Sequence, residues 1–104
     1  MTYNASVDKT RNKMQLDYSP EKNSQLKKVR GIGFEDVALA IEEGRVLDVI
    51  EHHNTKKYPN QKIYVVNIND YVYLVPFVKQ NEIAFLKTIF PSRKLTKQYL
   101  QKNV

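Results

Sequence analysis

Polar and apolar residues alternate over Met14-Gln15-Leu16-Asp17-Tyr18, the period-two pattern of a short half-buried strand. Ser19-Pro20-Glu21 follows and carries three helix-start signals: a serine N-cap, proline at the first helical position and an acid in the first turn. The predicted helix runs to about Val29 with a thin apolar stripe, mainly Leu26 and Val29, which places it on the surface. Gly31 and Gly33 break it. A second helix is better marked, because Phe34, Val37, Ala38 and Ile41 recur at i, i+3, i+4 and i+7 and so share one buried face. Glu35 and Asp36 lie in its first turn, where the helix dipole favours negative charge, and Gly44 is the expected stop.

From Arg45 onward the period changes to that of strands. Val46 to Glu51 is the first, and Lys62 to Ile68 and Tyr71 to Val78 form a pair joined by Asn69-Asp70, a two-residue hairpin signal. Ile83 to Phe90 is a further strand, reached through Gln80-Asn81. Tyr71 to Val78 is apolar on both faces, as in a central strand covered on each side. Pro76 conflicts with that position because it has no N–H for a ladder, so a bulge or a strand end is expected there. Ser92 then caps a last helix from Arg93 to about Lys102, with Leu95 and Tyr99 inward and Arg93, Lys94 and Lys97 outward. The order β-α-α-β-β-β-β-α predicts an α+β fold: N-terminal helices packed on one face of a four-stranded antiparallel sheet, with a short first strand and a C-terminal helix.

A chain of 104 residues has room for one domain, expected over residues 14–104. Residues 1–13 show no periodicity and read as a flexible tail. They hold no apolar h-region, and no run approaches the roughly 18 apolar residues of a membrane span, so a cytoplasmic protein without a membrane partner is expected. With no cysteine, disulfides and thiolate metal sites are excluded.

Charge changes the picture further. Residues 1–51 carry eight basic and nine acidic side chains, a balance of −1, whereas residues 52–104 carry nine basic and two acidic, a balance of +7. A basic half beside a neutral one suits a polyanion such as RNA. No phosphate-binding glycine loop or serine-triad motif is present. His52 and His53 are adjacent, and strand alternation would point them apart, so neither metal nor other cofactor is expected.

The residue types that remain suffice to cut RNA without metal. The 2′-hydroxyl must lose a proton, the leaving 5′-oxygen must gain one, and the phosphorane charge must be stabilised. Three clusters supply such groups. In His52-His53-Asn54-Thr55-Lys56-Lys57-Tyr58, a histidine (His53 or His52) could act as acid or base while Lys56 and Lys57 hold phosphate; the bland alternative is a solvated loop. Lys62, Tyr64 and Tyr73 put polar tips on the hairpin strands, where a tyrosine could stack on a base, or they are ordinary sheet residues. Lys87 with Arg93, Lys94, Lys97 and Tyr99 joins the last strand to the last helix, where arginine and lysine beside helix N–H groups favour an anion. The catalytic candidates are therefore Arg93, Lys97, His53 and Lys87. The RNA-binding candidates are Lys56, Lys57, Lys62, Tyr64, Lys94 and Tyr99.

Three stretches resemble one family. Leu16-Asp17-Tyr18-Ser19-Pro20-Glu21-Lys22-Asn23 is similar to an opening in which a strand ends in an acid–aromatic–Asp–Pro–x–Lys segment. Arg30-Gly31-Ile32-Gly33-Phe34-Glu35-Asp36 is similar to a Lys-His-Gly-Val-Ser-Phe-Glu-Glu block between two helices. Ile89-Phe90-Pro91-Ser92-Arg93-Lys94-Leu95-Thr96-Lys97 resembles an Ile-Ile-Ser-Ala-Arg-x-Ala-Thr segment at the end of a sheet. In order and spacing these are the marks of BrnT-type toxins of type II toxin–antitoxin systems, over residues 14–100. Arg93 keeps the family arginine, but Arg30 replaces a histidine, Pro91 a serine, and Tyr99 stands where an acid is common. The resemblance implies a RelE-like ribonuclease fold and translation blocked by cleavage of mRNA. It also implies a cognate antitoxin, a ribbon-helix-helix protein through which the complex reaches operator DNA. The competing reading is a non-catalytic RNA- or partner-binding module on the same fold.

Overall fold

The computed structural model describes residues 15–51 and 53–101; the expected tail, Met14, His52 and Lys102 lie outside the described residues. The elements are β1 (Gln15–Tyr18), α1 (Pro20–Arg30), α2 (Phe34–Glu42), β2 (Val46–Glu51), β3 (Gln61–Ile68), β4 (Tyr71–Gln80), β5 (Ile83–Leu86), β6 (Phe90–Pro91) and α3 (Arg93–Leu100). Among the described residues the fold is α+β, with three helices on a six-stranded sheet of order β1-β5-β4-β3-β2, in which β6 pairs with β4. No described helix is long and apolar enough to cross a membrane.

The sheet is mixed rather than antiparallel, because β1 pairs with β5 in parallel. Chain reversal explains this. The α1–α2 connection carries the chain from one sheet edge to the other, and β2, β3, β4 and β5 then return as an antiparallel meander. The α1–α2 connection leaves β2 running opposite to β1, and the three hairpin reversals from β2 to β5 then bring β5 alongside β1 pointing the same way. Asn69 and Asp70 both adopt positive φ (56° and 64°), as a type I′ hairpin turn requires. The β4–β5 turn is Asn81-Glu82, one residue later than expected.

The predicted strand from Ile83 to Phe90 divides into β5 and β6, and Pro76 is the reason. Pro76 stays in β4, opposite Ile63, with neither a bulge nor a strand end. Its carbonyl accepts the Lys87 N–H at 2.8 Å, but it has no N–H to return, and the neighbouring strand leaves the ladder there. Lys87–Ile89 then runs outside the ladder, with the Ile89 side chain fully buried, before β6 rejoins β4 at Tyr73 and Leu74.

Helices cover both faces of the sheet. On one, Leu26, Phe34, Val37 and Ala40 pack with Val66, Ile68, Val75, Phe77, Ala84, Leu86 and Ile89. On the other, α3 crosses from β4 to β2: Thr96 is bonded to Val72 on β4, and the Tyr99 hydroxyl donates to Asp48 on β2 at 3.4 Å. Asp48 pairs with Val65, so both point to the α3 face, opposite Val66. The expectation of helices on one face alone is thereby corrected. So is the register of α2, whose buried set is Phe34, Val37 and Ala40, with Ala38 and Ile41 only part-buried.

In α1 the inward residues are Asn23 and Leu26, while Val29 is 76% exposed and is not part of the stripe. Asn23 is buried because it joins two helices. Its Oδ1 accepts the Phe34 N–H at 2.7 Å, and its Nδ2 donates to Glu35 at 3.0 Å. Gly33 is required by close approach, since a Cβ there would stand 2.6 Å from that same Oδ1. Asn23→Ala should cost about 1–3 kcal/mol in urea unfolding, because a buried N–H loses its only acceptor. A cost within 0.5 kcal/mol, the scale of an ordinary surface change, would show that this bond does not hold α1 to α2 (about the limit for surface sites).

Candidate nucleic-acid interface

A basic region lies along the stretch of β4 beyond its pairing with β5, where β6 takes over. Ser92 donates its N–H to the Val72 carbonyl at 2.9 Å and caps α3 by accepting the Leu95 N–H on its Oγ at 3.1 Å. Thr96, buried one turn later, donates its hydroxyl to the Ser92 carbonyl at 2.7 Å and accepts the Val72 N–H at 2.9 Å. Both main-chain groups of Val72 are thus tied into the first turn of α3. This fixes the helix start on the edge of β4 and leaves Arg93, Lys94 and Lys97 exposed. Arg93 and Lys97, four residues apart, share one helix face.

Lys87 lies further along the same edge, where its N–H meets the Pro76 carbonyl; its ammonium stands 5.8 Å from the Phe85 ring centre. Between Lys87 and Arg93 the structure adds a residue that was not among the candidates. Arg30, the last residue of α1, donates its Nε–H to the Ile89 carbonyl at 3.0 Å. The main-chain anchors of the row Lys87, Arg30, Arg93 therefore follow β4 from Pro76 to Val72, four strand positions or about 13 Å. A signal for Arg30 was present: Asn23, Leu26 and Arg30 fall at i, i+3 and i+7, so Arg30 continues the face that buries Leu26 out to the exposed helix end. In the sequence Arg30 stood out only as the residue that replaces a histidine in the resemblance.

Among the described residues, Arg30, Lys87, Arg93, Lys94 and Lys97 have no carboxylate partner. The ion pairs lie elsewhere: Lys27–Glu35 at 3.1 Å, Arg45–Glu43 at 2.8 Å and Lys62–Glu51 at 3.6 Å. Burial raises the Glu35 carboxyl's pKa, but its own backbone N–H, Lys27 and Asn23 together outweigh that and hold it below its ordinary value.

The other candidates are placed differently. His53, Lys56 and Lys57 are exposed in the β2–β3 connection, which Asn54 shapes by accepting the Lys57 N–H on its side chain and the Tyr58 N–H on its carbonyl. This loop is pinned at the far end of the sheet, where Lys79 donates its N–H to the Asn60 carbonyl at 3.0 Å. Glu51, just before it, aligns through Lys62 with Phe77, five positions along β4 from Val72, or about 17 Å. His53 and Arg93 thus belong to two separate groups. Lys57 lies 5.5 Å from the Tyr58 ring centre.

Lys62 and Tyr64 alternate with Ile63 and so point to the α1–α2 face. There Lys62 pairs with Glu51, and the Tyr64 ring stacks on Phe77 at 4.1 Å and 15°. Tyr73 lies on that face too, with its ring 5.7 Å from that of Tyr71. Tyr99 faces Asp48; desolvation first, then the Asp48 charge and hydrogen bond, push its phenol above the ordinary value. Among the described residues no three His, Asp or Glu side chains converge as a metal ion would need.

The chain matches no protein-family profile and no curated protein.

Proposed function

We propose that this protein is an RNA-cutting toxin of the BrnT type, with a RelE-like fold, acting in the cytoplasm alongside a cognate antitoxin. The observation that carries the reading is the row of cations along the β4 edge, which no carboxylate of the described residues neutralises. Such a row fits an RNA backbone, and it ends at Arg93, the arginine that the resemblance singles out. Two N-terminal helices, a meander and a C-terminal helix on the opposite face support the fold implied by the same resemblance.

In this mechanism Arg93 holds the scissile phosphate and stabilises the charge that develops on the phosphorane. Lys87 in the row and Lys97 on α3 supply the proton transfers: one, acting as the neutral amine, takes the 2′-hydroxyl proton, and the other, as the ammonium, gives one to the leaving 5′-oxygen. A ribbon-helix-helix antitoxin would silence the enzyme by covering the row. The second reading, a binding module without catalysis, is favoured by one observation: His53, the described imidazole, lies at the other end of the sheet.

Purified protein incubated with mRNA, with and without ribosomes, separates the two, together with induction in a bacterial host. Growth arrest and cut RNA are expected. RNA bound but intact in both assays would establish the binding module instead.

A further inference from the structure

We infer that Arg30 is a phosphate-holding residue for single-stranded RNA, a second arginine site in addition to Arg93. The inference rests on the RNA reading of this edge and adds a residue to it. Arg30 is exposed, yet its guanidinium is not left to swing freely, because the Nε–H is bonded to the Ile89 carbonyl at 3.0 Å. That bond uses one of the five guanidinium N–H groups. The four on Nη1 and Nη2 have no partner among the described residues, and no carboxylate is paired with the charge.

A guanidinium fixed through Nε presents its Nη edge as a ready fork, the geometry that takes two oxygens of one phosphate. The position suits a chain of phosphates. Ile89 lies two residues after Lys87 and four before Arg93, along the stretch of β4 edge between β5 and α3. Gly31, at φ 77°, ends α1 immediately after Arg30, so the helix does not continue across the fork.

A purely structural role, stapling α1 to the β5–β6 connection, would use the same Nε–H bond and nothing else. Arg30→Gln separates the two, since the glutamine Nε2 sits at the same place along the side chain as the arginine Nε. It can keep the bond to Ile89 while the charge and the Nη fork are lost. The measurement is binding of a fluorescent oligouridylate by the full chain, by anisotropy at several salt concentrations, with thermal melting alongside.

Losing one phosphate contact should flatten the plot of log affinity against log salt by about 0.7 and weaken binding roughly five-fold at 0.1 M salt. Arg30→Ala should show the same flattening, and Arg30→Lys, which keeps a charge, should stay near the wild-type slope. Lys22→Ala removes a charge eight residues away, about 12 Å along α1, and should leave the slope unchanged. If Arg30→Gln binds with the wild-type slope, the inference is overturned and Arg30 is a staple. If Lys22→Ala flattens the plot as much as Arg30→Gln, the effect is one of net charge and the inference is likewise overturned. Wild type that fails to bind the oligonucleotide at all sinks the RNA reading itself, a result distinct from either.

Discussion

Arg93→Ala is expected to lower RNA cleavage by about 10²–10³-fold, the loss that follows removal of one well-placed donor to developing charge. The structure explains why so exposed a residue can carry so large an effect. Its backbone is fixed by the Ser92 cap and by Thr96, which together hold both main-chain groups of Val72. The side chain therefore starts from a rigid point on the β4 edge, and no carboxylate of the described residues competes for it. Binding should fall far less than cleavage, because one phosphate contact changes the single-strand salt slope by only about 0.7. Arg93→Lys should rescue poorly, since an ammonium cannot reproduce the fork. Single-turnover cleavage, equilibrium binding and growth arrest on induction, measured for wild type and both variants, check this. Cleavage by Arg93→Ala at the wild-type rate would remove Arg93 from the site and make His53, with Lys56 and Lys57, the centre to examine.

The elements set by local signals were legible in the sequence. Ser19 and Ser92 cap their helices through their side chains, and Asn69-Asp70 takes the positive φ values of its turn, because each depends on residues no more than three positions away. What was not legible depends on partners far along the chain. Nothing local to Gln15–Tyr18 indicates that it lies parallel to β5; that depends on the direction in which the two helices deliver β2 and on the three hairpins that follow. Pro76 flagged an irregularity, but the break falls in the neighbouring strand, since the missing N–H is a defect of the pair and not of β4. Asn23 was unreadable as a core residue because its acceptor serves Phe34, eleven positions on.

The candidate site follows the same division. Helical period placed Arg93, Lys94 and Lys97 outward without knowledge of the fold, and their exposure agrees. Pairing register decided the rest. It separates His53 from Arg93, turns Tyr64 onto Phe77, and brings in Arg30 from 59 positions before Ile89. Sequence patterning found the outward side of α3 but misplaced Val29 and Ala38, and it did not indicate which elements meet.

The largest expected loss of stability comes from Phe34→Ala, about 3–5 kcal/mol, the cost of deleting a fully buried aromatic ring and leaving part of its volume empty. Phe34 is 0% exposed, its ring centre stands 4.8 Å from that of Tyr18, and its N–H is the group that Asn23 satisfies. One residue thus joins β1, α1 and α2, and collapse into the cavity would require three elements to shift together. For a domain whose whole stability is of order 5–15 kcal/mol, a loss of this size is a large share of the total. Ile41, on the same helix but only part-buried, should cost less when cut to alanine, about 2 kcal/mol at the low end of its class. Val29→Ala, at a 76% exposed position, should stay within about 0.5 kcal/mol of wild type. Urea unfolding of the three variants tests this order of costs. A larger loss at Ile41 than at Phe34 would mean that α2 is rotated about its axis, with Ile41 rather than Ala40 turned into the core.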